Sequence, residues 1–175
     1  MRYFSPVINW IIPESALARS LQEMALDGIH GNEGVTLWLG RRGDGQAEVT
    51  HLVALRGPGV TKRPDQLVIQ AALINDVTDL AVELGVVLVG QIHSHGKLYG
   101  TDLSYADRTF GIAVPYFLSL VAPDYALRPH TRVEECGVHV FEPGSGFRRL
   151  ARSEIAERLR LVASPAIPML TVGEE

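Results

Sequence analysis

Gly90-Gln91-Ile92-His93-Ser94-His95 sets two imidazoles two residues apart at the end of an apolar run. If that run is a β-strand, its pleat turns both side chains to one face and presets two nitrogen ligands. Ser104-Tyr105-Ala106-Asp107 follows, its serine suited to cap a helix and its aspartate to stand in the first turn. That geometry can return a carboxylate to the histidines. Two histidines and one carboxylate leave a fourth position for water, the arrangement of catalytic rather than structural zinc. Such a site still needs a carboxylate to take and deliver protons. Glu33, just ahead of the apolar segment Val35-Thr36-Leu37-Trp38-Leu39, is the candidate.

Each part has a plainer reading. A His-x-His pair on a strand is commonly two ordinary histidines, Ser-x-x-Asp is commonly only a capping box, and Asn32-Glu33-Gly34 has the composition of a turn. What favours a metal site is their occurrence in one order, with glycines in the connecting loop. Asp102 also lies near, but only Asp107 stands in the Ser-x-x-Asp frame. Cys136 with His139 or His130 would make a cysteine-protease pair, yet Glu135-Cys136-Gly137-Val138 reads better as strand. His30, His51, His130 and His139 lack metal-ligand spacing to one another, and Trp38 at an alternating position reads as packing.

The elements that must position these residues are legible in outline. Pro13-Glu14-Ser15 opens a helix with Leu17, Leu21, Met24 and Ala25 at helical spacing, and Gly28 with Gly31 closes it. Gly34 to Arg41 and Ala47 to Leu55 flank Gly43-Asp44-Gly45, a β-hairpin with Glu33 at its entrance. Gly57 to Pro64 reads as an irregular loop, and Asp65 as the N-cap of a long helix with Ile69, Leu73, Val77, Leu80 and Leu84 on one stripe, stopped by Gly85. Val86 to His93 suits a central strand buried on both faces. A short helix from Ser104, strands around Phe117 to Val121 and Gly137 to Phe141, and a last helix from Ser153 complete an α/β fold, a mixed central sheet flanked by helices.

The chain has 175 residues, 46% of them apolar, enough for one domain with its own core, expected over residues 1–163. Residues 164–175, broken by Pro165 and Pro168, read as a flexible tail. Sixteen Lys+Arg against twenty Asp+Glu, a formal charge of −4, argue against a nucleic-acid face. No apolar run approaches the roughly 20 residues of a membrane span. The N-terminus, from Met1 to Pro6, lacks the marks of a signal peptide, and the single Cys136 fits a reducing compartment, so a cytoplasmic protein is expected.

Glu33 before a strand ending Leu39-Gly40, His93-Ser94-His95, and Ser104-x-x-Asp107 together resemble the JAMM (MPN+) zinc metalloprotease family, which includes the prokaryotic JAB-type proteins. The resemblance spans Glu33 to Asp107. It implies a JAMM/cytidine-deaminase-like architecture, Zn2+ on His93, His95 and Asp107, acid/base work by Glu33, and stabilisation of the tetrahedral intermediate by Ser104. It also implies an isopeptidase that cuts ubiquitin-like proteins from lysines. Compact bacterial members accompany ubiquitin-like conjugation systems, antiviral ones among them, so a ubiquitin-like protein or its conjugates and the activating and conjugating enzymes are the implied partners. The chain departs from the family at Gly96, where proline is usual, and in the eight residues between His95 and Ser104, where seven is commoner. Two other readings stand beside deconjugation: release of an amino acid from a sulfur-carrier protein, and a metal-free MPN-like scaffold, whose members lack the ligands that this chain keeps. A zinc deaminase would need a Pro-Cys-x-x-Cys element, which is absent.

Overall fold

The computed structural model describes residues 5–173. Strands β1 (Asn9–Pro13), β2 (Val35–Gly43), β3 (Gln46–Leu55), β6 (Val87–Ser94), β7 (Leu118–Ala122), β8 (Gly137–Glu142), β9 (Gly146–Arg149) and β10 (Leu159–Val162) lie side by side in one sheet, ordered β10-β1-β3-β2-β6-β7-β8-β9. Its pairings are mixed. β2 runs antiparallel to β3 and β6, while β6 runs parallel to β7. The hairpin turns at Asp44 and Gly45, both with positive φ, the conformation that a tight turn of this hand demands.

Alternation along β2 divides the core between the two faces of the sheet. Leu37 and Leu39 point one way, where Leu73, Val77 and Ala81 of α2 (Ala71–Glu83) cover them. Trp38 points the other way, into the cluster formed by Leu17, Leu21 and Met24 of α1 (Glu14–Gly28) with Trp10 and Ile92. Fully burying such side chains is worth about 1.5–3 kcal/mol each. The indole N–H of Trp38 donates to Ser20 Oγ at 3.0 Å, so this residue is packing, as its strand position predicts. The α/β reading, a mixed sheet with helices on both faces, holds. Two short helices remain, α3 (Tyr105–Phe110) and α4 (Arg152–Arg158).

Several local expectations do not hold. The segment expected as a loop forms β4 (Val60–Arg63), which pairs with β5 (Gln66–Ile69) in a separate hairpin. Asp65 sits in its turn and caps nothing; α2 begins only at Ala71, after Gln70. Ile69 matched the helical stripe because it lies four residues before Leu73, and a strand only four residues long is too short to show its own period. β9 and β10, also four residues each, escaped notice for the same reason, and the five-residue β1 was not expected either. The expected flexible tail is also corrected. Residues Met169–Val172 form β11, which pairs in parallel with the second half of β3, along the edge whose first half pairs with β1. Leu52 N–H donates to Pro168 O at 2.9 Å and Arg56 N–H to Val172 O at 3.0 Å. The prolines mark the turn into this strand rather than an end to order. Residues 1–4, on which part of the signal-peptide reading falls, and 174–175 lie outside the described residues. No described helix is long and apolar enough to cross a membrane.

Candidate metal centre

Register places the chemistry. In the β2–β6 pairing Val35 stands opposite His93, and Ser94 N–H donates to Gly34 O at 3.0 Å while Gly34 N–H donates to Ser94 Oγ at 2.9 Å. Glu33 comes just before this paired stretch, near enough to His95 for the two charges to act on one another. The residue between the histidines therefore fastens the strand that delivers the glutamate. Gly34 cannot carry a side chain, because a Cβ would stand 2.8 Å from Met24 Cα where α1 crosses. On the other side of β6, His93 pairs with Val121, and His95 N–H donates to Ala122 O at 2.9 Å.

Both imidazoles are buried, and their rings meet edge to face with centroids 5.0 Å apart. His93 Nε2 and His95 Nε2 are 3.2 Å apart. Asp107 Oδ2 lies 3.2 Å from His95 Nε2 and Oδ1 lies 3.6 Å from His93 Nε2. One ligand atom from each residue falls within 4.8 Å of the other two. His95 Nδ1 lies 3.2 Å from the Gly100 carbonyl, which can only accept, so the neutral ring carries its proton on Nδ1 and leaves Nε2 for a metal ion or for a second proton, which it then donates to Asp107. Lone pairs crowded together out of water repel one another unless a cation lies between them. This donor set, two imidazole nitrogens and a carboxylate, fits a divalent ion such as zinc.

Asp107 is delivered by its own helix. Asp107 N–H donates to Ser104 Oγ at 3.1 Å, and Ser104 N–H donates to Asp107 Oδ2 at 2.8 Å, so the predicted N-cap is a reciprocal capping box. Burial alone would raise the Asp107 carboxyl, but hydrogen bonds from His93 and His95 reverse that and hold it well below the usual carboxylate range. For His95 burial acts downward, and the bond to Asp107 with the charge of Glu33 carries it above its ordinary value. The Ser104 hydroxyl accepts from the helix and, beside the Asp107 carboxyl, helps to hold its charge. Asp102 does not compete for the site. Its Oδ1 accepts from His139 Nε2, from Leu103 N and from Arg108 Nη2, each at 2.9 Å.

Glu33 is only 5% exposed, and its backbone N–H donates to Arg63 O of β4 at 2.9 Å. Burial pushes its carboxyl up to about 7; His95 opposes the shift, and the charges of Asp107 and Asp65 add to it. A carboxyl raised on folding keeps its proton in the folded state between the ordinary 4.5 and 7, so stability falls as pH rises through that window. Glu33→Gln is therefore expected to stabilise the metal-free protein by about 1–2 kcal/mol at about pH 8, a Tm gain of roughly 3–6 °C that disappears in acid below the unfolded pKa. Thermal melts of both proteins across this range check it; equal Tm throughout would contradict it.

Cys136 is buried, burial pushes its thiol up to about 12, and its hydrogen-bond partner is the Arg132 carbonyl. His130 is exposed and His139 is turned to Asp102, so no base serves that sulfur. Sequence reasoning missed Tyr125. Asp124, Tyr125 and Ala126 all take positive φ, and this turn sends the Tyr125 hydroxyl to donate to Pro64 O at 2.9 Å. A Cβ on Gly96 would stand 2.5 Å from that hydroxyl oxygen, so a side chain at this position would have to push the Tyr125 ring aside. Pro123-Asp124 has turn-forming composition, but nothing in it announces that the turn would aim Tyr125 at Pro64, 61 positions away. A cleft of about 370 Å³, also missed, runs from Asp107 between β5, α2 and α3, with Val68, Ile69, Ile74, Phe110 and Ile112 among its walls.

No family model matches the chain, and no curated protein matches it. Among solved structures the chain is similar to the solution structure of protein DSY2949 from Desulfitobacterium hafniense, with 16% identity and a TM-score of 0.65 over 89% of this chain and 94% of that one. At that identity the likeness concerns the fold alone.

Proposed function

We propose that this chain is a zinc-dependent peptidase or isopeptidase that cleaves after the C-terminal tail of a ubiquitin-like protein, in precursor processing or deconjugation. The observation that carries this reading is the meeting of His93, His95 and Asp107 beside Glu33, a buried carboxyl raised to about 7. Held by His93, His95 and Asp107, zinc would supply Lewis-acid polarisation of the scissile carbonyl and acidify a water molecule. Glu33 accepts a proton from the attacking water and returns it to the leaving amine, and a pKa near neutrality suits a group that must do both. Ser104 donates its O–H to the oxygen on which negative charge develops.

The cleft supports a polypeptide substrate. Among the described residues β5 pairs with β4 alone, so its second edge can accept an extended tail as an added strand, while the apolar wall receives alternate side chains. Leu67, Val68 and Ile69 of β5 line that cleft. The partners of this reading are a ubiquitin-like protein or its conjugates, with activating and conjugating enzymes, in the reducing cytoplasm that a single buried thiol fits, and antiviral defence is one such setting.

The assay offers zinc-loaded protein three substrates: a ubiquitin-like precursor with a C-terminal extension, the same protein joined to lysine, and a sulfur carrier bearing an amino acid. Cleavage of the first two after the modifier's tail is expected. Cleavage of the carrier alone would move the function to sulfur-carrier processing, and cleavage of none would contradict a peptidase.

A further inference from the structure

One buried polar pair takes no part in the chemistry described above. His139, on β8 and wholly inaccessible, donates from Nε2 to Asp102 Oδ1 at 2.9 Å, although Asp102 itself lies in an exposed loop. A buried imidazole thus reaches up from the sheet to fasten a surface residue. Three further contacts fall at the same place. The Thr101 carbonyl packs over Gly137 so closely that a Cβ there would stand 1.7 Å from its oxygen. Arg149 donates to Thr101 Oγ1 at 3.0 Å, and Arg108, also bonded to Asp102, donates to Phe147 O at 3.1 Å. All of these anchors belong to or reach the β8–β9 hairpin.

The preceding stretch is different. Residues 97–100 are exposed, Leu98 at 94%, and the turn bond from Tyr99 N–H to Gly96 O spans only the start of the loop. Yet this stretch ends in the Gly100 carbonyl that meets His95 Nδ1 and so decides which ring nitrogen faces Asp107. Gly100 has a φ of +65°, open to few other residues, and its carbonyl shares a peptide plane with Thr101. Whatever fixes Thr101 and Asp102 fixes that plane. The loop is one residue longer than the related pattern and has glycine where that pattern has proline, so it needs an anchor from outside itself.

We propose that Asp102 and His139 are positioning residues, a clamp that holds the 96–104 loop on β8 so that the Gly100 carbonyl keeps His95 in its Nδ1–H tautomer. The consequence for metal binding rests on the metalloprotease reading; the tautomer does not. Outer partners of this kind typically account for about 10–100-fold in metal affinity.

Asp102→Ala and His139→Leu break the pair from either side, while Asp102→Asn keeps an acceptor and His139→Gln keeps a donor. In nitrogen-15 spectra of the metal-free proteins in alkaline buffer, the wild type is expected to show a slowly exchanging His95 Nδ1–H. The two breaking variants should lose it and the two conservative ones retain it. By chelator competition the breaking variants should bind zinc about 10–100-fold more weakly, with kcat reduced and KM nearly unchanged, since neither residue lines the cleft. Breaking variants that keep the Nδ1–H signal and wild-type zinc affinity would overturn the clamp, whatever happens to their Tm. A wild type that takes up no zinc, with the signal still lost on breaking the pair, would leave the clamp standing and remove the metalloprotease reading alone.

Discussion

Replacing Glu33 with glutamine is expected to lower peptide-bond hydrolysis by about 10²–10⁴-fold in kcat, with KM little changed and one zinc per chain retained. The amide keeps the shape of the side chain and removes its basicity. Glu33 is not among the three candidate ligands, so metal binding should survive the change. The same substitution relieves a buried carboxylate above neutral pH, so the inactive protein should also be the more stable one in its metal-free form. This pairing of lost rate with gained stability marks a group kept for chemistry rather than for folding. A Glu33→Gln protein with wild-type kcat would remove Glu33 from the mechanism.

Asp107→Asn has the opposite signature. The asparagine oxygen can still accept from Ser104 N–H, so α3 keeps its cap, but the negative charge facing two imidazole nitrogens is gone. If the roughly 10–16 kcal/mol of a four-ligand zinc site is shared among its ligands, each is worth about 3 kcal/mol, and zinc affinity should fall about 10²-fold. Activity should vanish at limiting zinc and return in part with excess metal. Titration with a competing chelator reads this directly, and an unchanged affinity would place the ion elsewhere. The two variants separate the roles: one keeps the metal and loses proton transfer, the other keeps the base and loses the metal.

The parts of this site that were legible in the sequence are those governed by local rules. The period-two pleat is enough to place His93 and His95 on one face, and Ser104-x-x-Asp107 is enough to place a carboxylate in the first turn of a helix. The hairpin that brings in Glu33 was likewise readable from the alternation at Val35, Leu37 and Leu39 and from its turn residues. What failed depends on partners far off along the chain. Four-residue strands such as β10 and β11 carry too few positions to show a period, and they exist because β1 and β3 offer them an edge. The Asp102–His139 bond joins residues 37 positions apart, and neither flanking sequence announces it. Gly96, a departure by motif, is explained only by the Tyr125 hydroxyl packed where a side chain would go. The start of α2 was misplaced because Ile69 and Leu73 share a helical interval although only Leu73 is in the helix.

All of this rests on one divalent ion shared by His93, His95 and Asp107. Anomalous scattering at the zinc edge, recorded from crystals of the zinc-loaded protein, tests that most directly. One peak is expected, about 2.0–2.1 Å from both Nε2 atoms and about 2.0–2.2 Å from an Asp107 oxygen. No peak at the cluster, or an ion bound there without Asp107, would contradict the account.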